Sequence, residues 1–138
     1  MDALWQMVLM TNADWKAHWI SLPPARPSVQ LPPAAYLRRE FGVSKSVSRA
    51  TAFVTARGVY TLSLNGQRVG DEHFAPGWTD YTKRIQYQTY DVTNSVKNGA
   101  NALGAILGTG WYAGYLGWEG ENSHYGKLPQ FLDRKSVV

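Results

Sequence analysis

The dipeptide Asn65-Gly66 constrains this chain more tightly than any other feature of its sequence. It offers two consecutive residues that tolerate positive φ, as a two-residue type I′ turn requires, and it separates Tyr60-Thr61-Leu62-Ser63-Leu64 from Gln67-Arg68-Val69-Gly70. Tyr60, Leu62 and Leu64 share one face at period two, so the segment is a β-hairpin whose apolar side needs a cover.

Period-two alternation extends both ways from that hairpin. Leu37, Arg39, Phe41 and Val43 alternate with Tyr36, Arg38, Glu40 and Gly42, and Ala50, Ala52, Val54 and Ala56 alternate with more polar neighbours, as in half-buried strands. Ile85 to Tyr90 and Ala102 to Leu107 give two more strands. Between strands, Pro76-Gly77 marks a loop in Phe74-Ala75-Pro76-Gly77-Trp78, and Asp91 to Gly99 suits one turn capped by Asp91 and ended by Gly99. Thirteen Gly and seven Pro punctuate 138 residues too often for long helices, and no period of 20 to 50 residues recurs. About seven short strands in one domain spell an all-β fold, a β-sandwich or jelly roll.

Residues 1–35 read as a lead-in and Pro-rich linker. Trp15 and Trp19 are expected to lie against the domain, followed by Leu22-Pro23-Pro24 through Leu31-Pro32-Pro33, whose prolines block helix and sheet interior alike. The β-domain proper spans 36–132, and 133–138 read as an atypical tail.

Composition narrows the function classes. Apolar residues at 44% against 17% charged exclude a disordered tail, and the absence of Cys excludes disulfides, Cys-ligated zinc and thiol catalysis. The charge of +4 is spread over isolated pairs (Arg38-Arg39, Lys83-Arg84, Arg134-Lys135) rather than along a track, so no nucleic-acid partner is expected. Ala3 to Met10 is too short for a membrane span, and with Asp2 before it and no cleavage pattern after it, it is no signal peptide. With Met1 as the native start, the expected location is the cytoplasm.

No catalytic constellation stands out. Asp71, Glu72, Asp80, Asp91, Glu119 and Glu121 form no recognisable pair for glycoside hydrolysis, and Asp91 is better explained as a cap. His18, His73 and His124 lack metal-ligand spacing, Gly108-Thr109-Gly110 lacks the Gly-Lys-Ser/Thr element of a phosphate loop, and no Ser sits in a Gly-x-Ser-x-Gly elbow. No catalytic residue, metal ligand or cofactor is assigned. Aromatic rings are the positive signal: Trp78, Tyr81, Trp111, Tyr112, Tyr115, Trp118 and Tyr125 all fall in loops, the last five within the Gly-rich stretch Gly108 to Gly126. Such rings stack on the apolar face of a sugar while polar neighbours bond its hydroxyls; the competing reading is that they cover the open ends of the sandwich or contact a partner domain.

Several ordered motifs then carry a family resemblance. Gly58-Val59-Tyr60, Leu64-Asn65-Gly66-Gln67-Arg68-Val69-Gly70-Asp71, Ala75-Pro76-Gly77-Trp78-Thr79-Asp80-Tyr81, Gln86-Tyr87-Gln88-Thr89-Tyr90-Asp91-Val92-Thr93, Gly99-Ala100-Asn101-Ala102-Leu103-Gly104 and Gly110-Trp111-Tyr112 closely resemble the N-terminal β-sandwich domain of bacterial α-L-rhamnosidases, glycoside hydrolase family 78. The likeness spans about residues 14 to 131. It implies a galactose-binding-like jelly roll that assists substrate recognition beside a separate catalytic α/α barrel, where the general acid and base lie. The expected partners are therefore that barrel and, weakly, a rhamnose-containing glycoside. The resemblance also implies a fragment truncated at its C-terminal strand, because the family pattern continues where Asp133-Arg134-Lys135-Ser136-Val137-Val138 stops. An autonomous carbohydrate-binding module and a purely structural spacer are the alternatives, distinguished by how Trp78, Trp111 and Trp118 are exposed.

Overall fold

The computed structural model describes residues 9, 11–22, 31–118 and 120–137. Among the described residues, seven strands form two antiparallel sheets. In the first, β1 (Ala35–Val43), β6 (Gly99–Gly108), β3 (Val59–Leu64) and β4 (Gln67–Val69) lie side by side in that order; in the second, β2 (Ala50–Arg57) is central between β5 (Gln88–Asp91) and β7 (Gln130–Val137). A single helical turn, α1 (Gly110–Ala113), follows β6. Among the described residues no helix is long and apolar enough to cross a membrane.

Register follows the apolar pattern. Tyr60, Leu62 and Leu64 of β3 and Leu103, Ala105 and Leu107 of β6 point inward from the first sheet, and meet Ala50, Ala52, Val54 and Ala56 of β2, Tyr90 of β5 and Phe131 of β7 from the second. These residues make one core between two sheets, the arrangement of a β-sandwich. The Asn65-Gly66 turn forms as read: φ is 53° and 82°, and Leu64 faces Gln67 across it. Gly58 alone carries the chain from β2 in one sheet to β3 in the other, at φ 133°.

Three expectations change. β2 is not half-buried: every residue from Ala50 to Ala56 is buried, because its outer face, with Thr51, Phe53 and Thr55, is covered as well. The strand read at Ile85 to Tyr90 begins only at Gln88, since the Thr55 hydroxyl donates to the Gln86 carbonyl over 2.6 Å and ends the ladder that starts at Val54 opposite Gln88. Residues 133–137, read as an atypical tail, continue β7, which pairs with β2 from Arg57 opposite Gln130 to Ala50 opposite Val137. β7 is the sheet's edge, where Arg134, Lys135 and Ser136 are only half-buried, so polar residues are tolerated there. Lys135 lies over the Phe41 ring at 5.5 Å and pairs with Asp133.

The lead-in is tied to this second sheet. Ile20 and Phe131 exchange two backbone hydrogen bonds (2.9 and 2.8 Å), Arg134 donates to the Asp14 carbonyl (2.6 Å), and Trp15 meets Tyr87 edge to face at 5.7 Å. The prolines at 23, 24 and 27 lie outside the described residues.

Candidate functional site

The loop aromatics fall into three groups rather than one platform. Phe74, Trp78 and Trp111 form the first group, with Phe74 and Trp78 exposed and Trp111 half-buried. The 74–78 loop is fixed to β3 by a hydrogen bond from Tyr60 N–H to the Ala75 carbonyl (2.8 Å) and contains a cis Ala75-Pro76 bond. It places Phe74 and Trp78, 66% and 56% exposed, against Trp111 of α1. The Trp78 and Trp111 rings are nearly parallel (16°) with centroids 6.4 Å apart, and Phe74 meets Trp111 edge-on at 6.1 Å.

Tyr81, Tyr112 and Tyr125 form a second, inward group. Tyr81 is only 9% exposed and packs edge to face on Tyr112 at 5.4 Å and Tyr125 at 5.1 Å, while Tyr112 and Tyr125 stack at 6.5 Å. Burial, then the nearby Tyr125 phenol, hold the Tyr81 hydroxyl above the ordinary phenol range. Expected as a presented ring, Tyr81 instead supports the loop, because three mutually packed rings exclude water more effectively than each does alone. Tyr112 lies directly against Gly126, where a Cβ would come within 2.5 Å of the ring.

Tyr115 and Trp118 are exposed on a short ribbon closed by the Tyr115–Asn122 bridge and by Leu116 N–H to the Glu121 carbonyl (3.0 Å). Among the described residues neither ring stacks on Trp78 or Trp111.

Carboxylates are accounted for singly. Asp80 accepts from Thr82 Oγ1 (2.6 Å) and Lys83 (3.1 Å), and these bonds hold it below the usual carboxylate range. Asp91 accepts from the Thr93 hydroxyl and N–H (2.6 and 3.0 Å), an Asx turn that lowers it likewise. Asp71, Glu72 and Glu121 are exposed, and Glu119 lies outside the described residues.

A cleft of about 440 Å³ escaped the sequence reading. It is lined by Trp15, Ala17 and Trp19 of the lead-in, by Tyr81 to Ile85 and Tyr87 of the segment before β5, and by Thr55, Arg57 and Leu132 of the second sheet. Arg57 enters it with its guanidinium 4.7 Å from the Trp19 ring centre and one nitrogen bonded to Gln130 Oε1 (2.7 Å). The signals were present as Trp15 and Trp19 in a polar segment and as Lys83-Arg84 between Tyr81 and Tyr87; what joins them is the pairing of residue 20 with residue 131.

Comparison with known proteins agrees with this architecture. The family model described as the α-L-rhamnosidase N-terminal domain matches residues 45–137. An α-L-rhamnosidase of Streptomyces avermitilis is 50% identical over 122 residues, covering 88% of this chain and 12% of the relative; one of an Alteromonas species is 43% identical over 141 residues, covering 96% and 15%. The crystal structure of native α-L-rhamnosidase from Aspergillus terreus superposes with a TM-score of 0.86 at 39% identity, over 92% of this chain and 15% of that one. The S. avermitilis α-L-rhamnosidase structure complexed with L-rhamnose gives 0.73 at 51% identity, over 77% and 10%. This chain thus spans less than one sixth of the length of these relatives, and it belongs to the α-L-rhamnosidase N-terminal domain family.

Proposed function

We propose that this chain is a non-catalytic accessory domain of an α-L-rhamnosidase of glycoside hydrolase family 78, and that it docks on the remainder of the enzyme through the Phe74–Trp78–Trp111 face. The observation that carries this reading is the pair of near-parallel indoles with an edge-on phenyl, in which Trp78 and Phe74 are exposed and Trp111 is half-buried, on a domain that matches only 12% to 15% of the length of its relatives. Clustered exposed rings of this kind mark contact surfaces. Trp118, fully exposed on its own ribbon, is the ring best placed to touch a rhamnoside in addition.

The test pairs this chain with the S. avermitilis relative from which the matching N-terminal residues have been deleted. Co-elution that is lost in the Trp78→Ala, Trp111→Ala double variant supports docking. A strictly monomeric chain that ignores the deleted enzyme, yet gives a clean saturable rhamnose titration, identifies an autonomous carbohydrate-binding module instead. An aryl rhamnoside should be cleaved by the chain alone no faster than in buffer, because among the described residues no two carboxylates form a pair in contrasting environments.

A further inference from the structure

We infer that the cleft between the lead-in and the second sheet is a binding site for an acidic sugar, a pyranose bearing a carboxylate. At about 440 Å³ it lies within the range of small-ligand pockets, roughly 300 to 1,000 Å³. Its charged lining is of one sign: Arg57, Lys83 and Arg84 contribute, and no Asp or Glu does. Lys83 is paired with Asp80 at 3.1 Å, so Arg57 and Arg84 are the cations that carry the lining's positive charge.

The arginines favour an anionic group at the leading end of the ligand. Hydroxyls both donate and accept, whereas guanidinium and ammonium groups only donate, so the cleft suits a ligand whose leading group only accepts. Arg57 is already oriented by the Trp19 ring and by Gln130, and retains donors for a carboxylate, which reduces the ordering needed on binding. Trp15 and Tyr87, fixed edge to face at 5.7 Å, provide an aromatic wall for the C–H face of the ring. A small inorganic anion would satisfy the arginines and leave that wall unused. A polyanion such as nucleic acid needs a cationic track, while these cations border a single cavity.

The experiment titrates the 138-residue chain with glucuronate, glucose and sodium sulfate at matched ionic strength, reading tryptophan fluorescence and heat. Glucuronate should bind saturably near the millimolar level, as expected of a monosaccharide with few contacts. Arg84→Gln and Trp15→Ala, each checked for an unchanged circular dichroism spectrum, should weaken it roughly fivefold or more. Glucose should give no saturable signal, and sulfate should bind at least about tenfold more weakly. Absence of glucuronate binding overturns the inference. So does equal binding of glucose or of sulfate, or retention of full affinity in both Arg84→Gln and Lys83→Gln.

Discussion

The side-chain amide of Asn65 donates to the Asn101 Oδ1 over 2.9 Å, joining the hairpin turn to the start of β6. Asn65 also donates to the Ser95 carbonyl (2.8 Å) and accepts from Ala102 N–H (2.9 Å). Asn101, 3% exposed, accepts from Lys97 N–H (2.8 Å) and donates to the carbonyls of Lys97 (2.7 Å) and Gly99 (3.1 Å). Asn65 therefore does more than accept a positive φ: it anchors the turn to the loop that enters β6.

Asn101→Ala removes these four part-buried hydrogen bonds and should cost about 1 to 3 kcal/mol in chemical denaturation. Asn65→Gly keeps the turn's backbone freedom while removing the side chain, so a double-mutant cycle between the two should return a coupling of about 0.5 kcal/mol or more. Strict additivity would mean that the 2.9 Å bond contributes nothing to stability.

Gly66→Val isolates the turn itself, because nothing lies within 4 Å of the position a Cβ would take there. Its expected cost of about 1 to 3 kcal/mol comes from forcing a β-branched residue to positive φ. Gly58→Ala tests a different constraint, since its Cβ would stand 2.4 Å from the Gly108 carbonyl oxygen. Both strain and backbone displacement then apply, and the loss should exceed about 2 kcal/mol in the same assay.

Alkaline unfolding should begin with the buried tyrosines. Burial, then the hydrogen bond with the Tyr90 hydroxyl (3.1 Å), hold the Tyr60 phenol far above its ordinary range, and burial raises Tyr90 too. A raised folded-state pKa gives stability that is fully present below the unfolded value, about 10, and is lost as pH climbs above it. Tyrosinate absorbance from these two residues should therefore rise together with loss of the near-ultraviolet dichroism, and Tyr60→Phe should reduce the absorbance change that accompanies unfolding.

The aromatic groups should separate in stability measurements. Trp118→Ala should change the free energy of unfolding by no more than about 0.5 kcal/mol, and Trp111→Ala by about 1 kcal/mol. Tyr81→Ala removes the ring on which Tyr112 and Tyr125 pack and should cost about 2 to 4 kcal/mol. Equal costs at the three positions would show that the presented and supporting rings have been assigned incorrectly.

The sequence by itself determined the local geometry and the family. Period-two runs, the Asn65-Gly66 turn and the Pro-Gly loop depend on steric and patterning rules that act within a few residues, and the hairpin, β1 and most of β6 formed accordingly. Tertiary structure decided what each face meets. Alternation in β2 could not reveal that its outer face is covered, since Thr and Phe there read as solvent-side residues until Tyr87 packs against Phe53 at 6.3 Å. Nor could loop position distinguish Tyr81, enclosed by two other rings, from Trp78, left open beside Trp111. The cleft depends on residues far apart along the chain: Ile20 pairs with Phe131, and only that pairing carries Trp15 and Trp19 to Arg57 and Tyr87. Burial and site formation at these positions arise from long-range contacts, which no short window of the sequence contains.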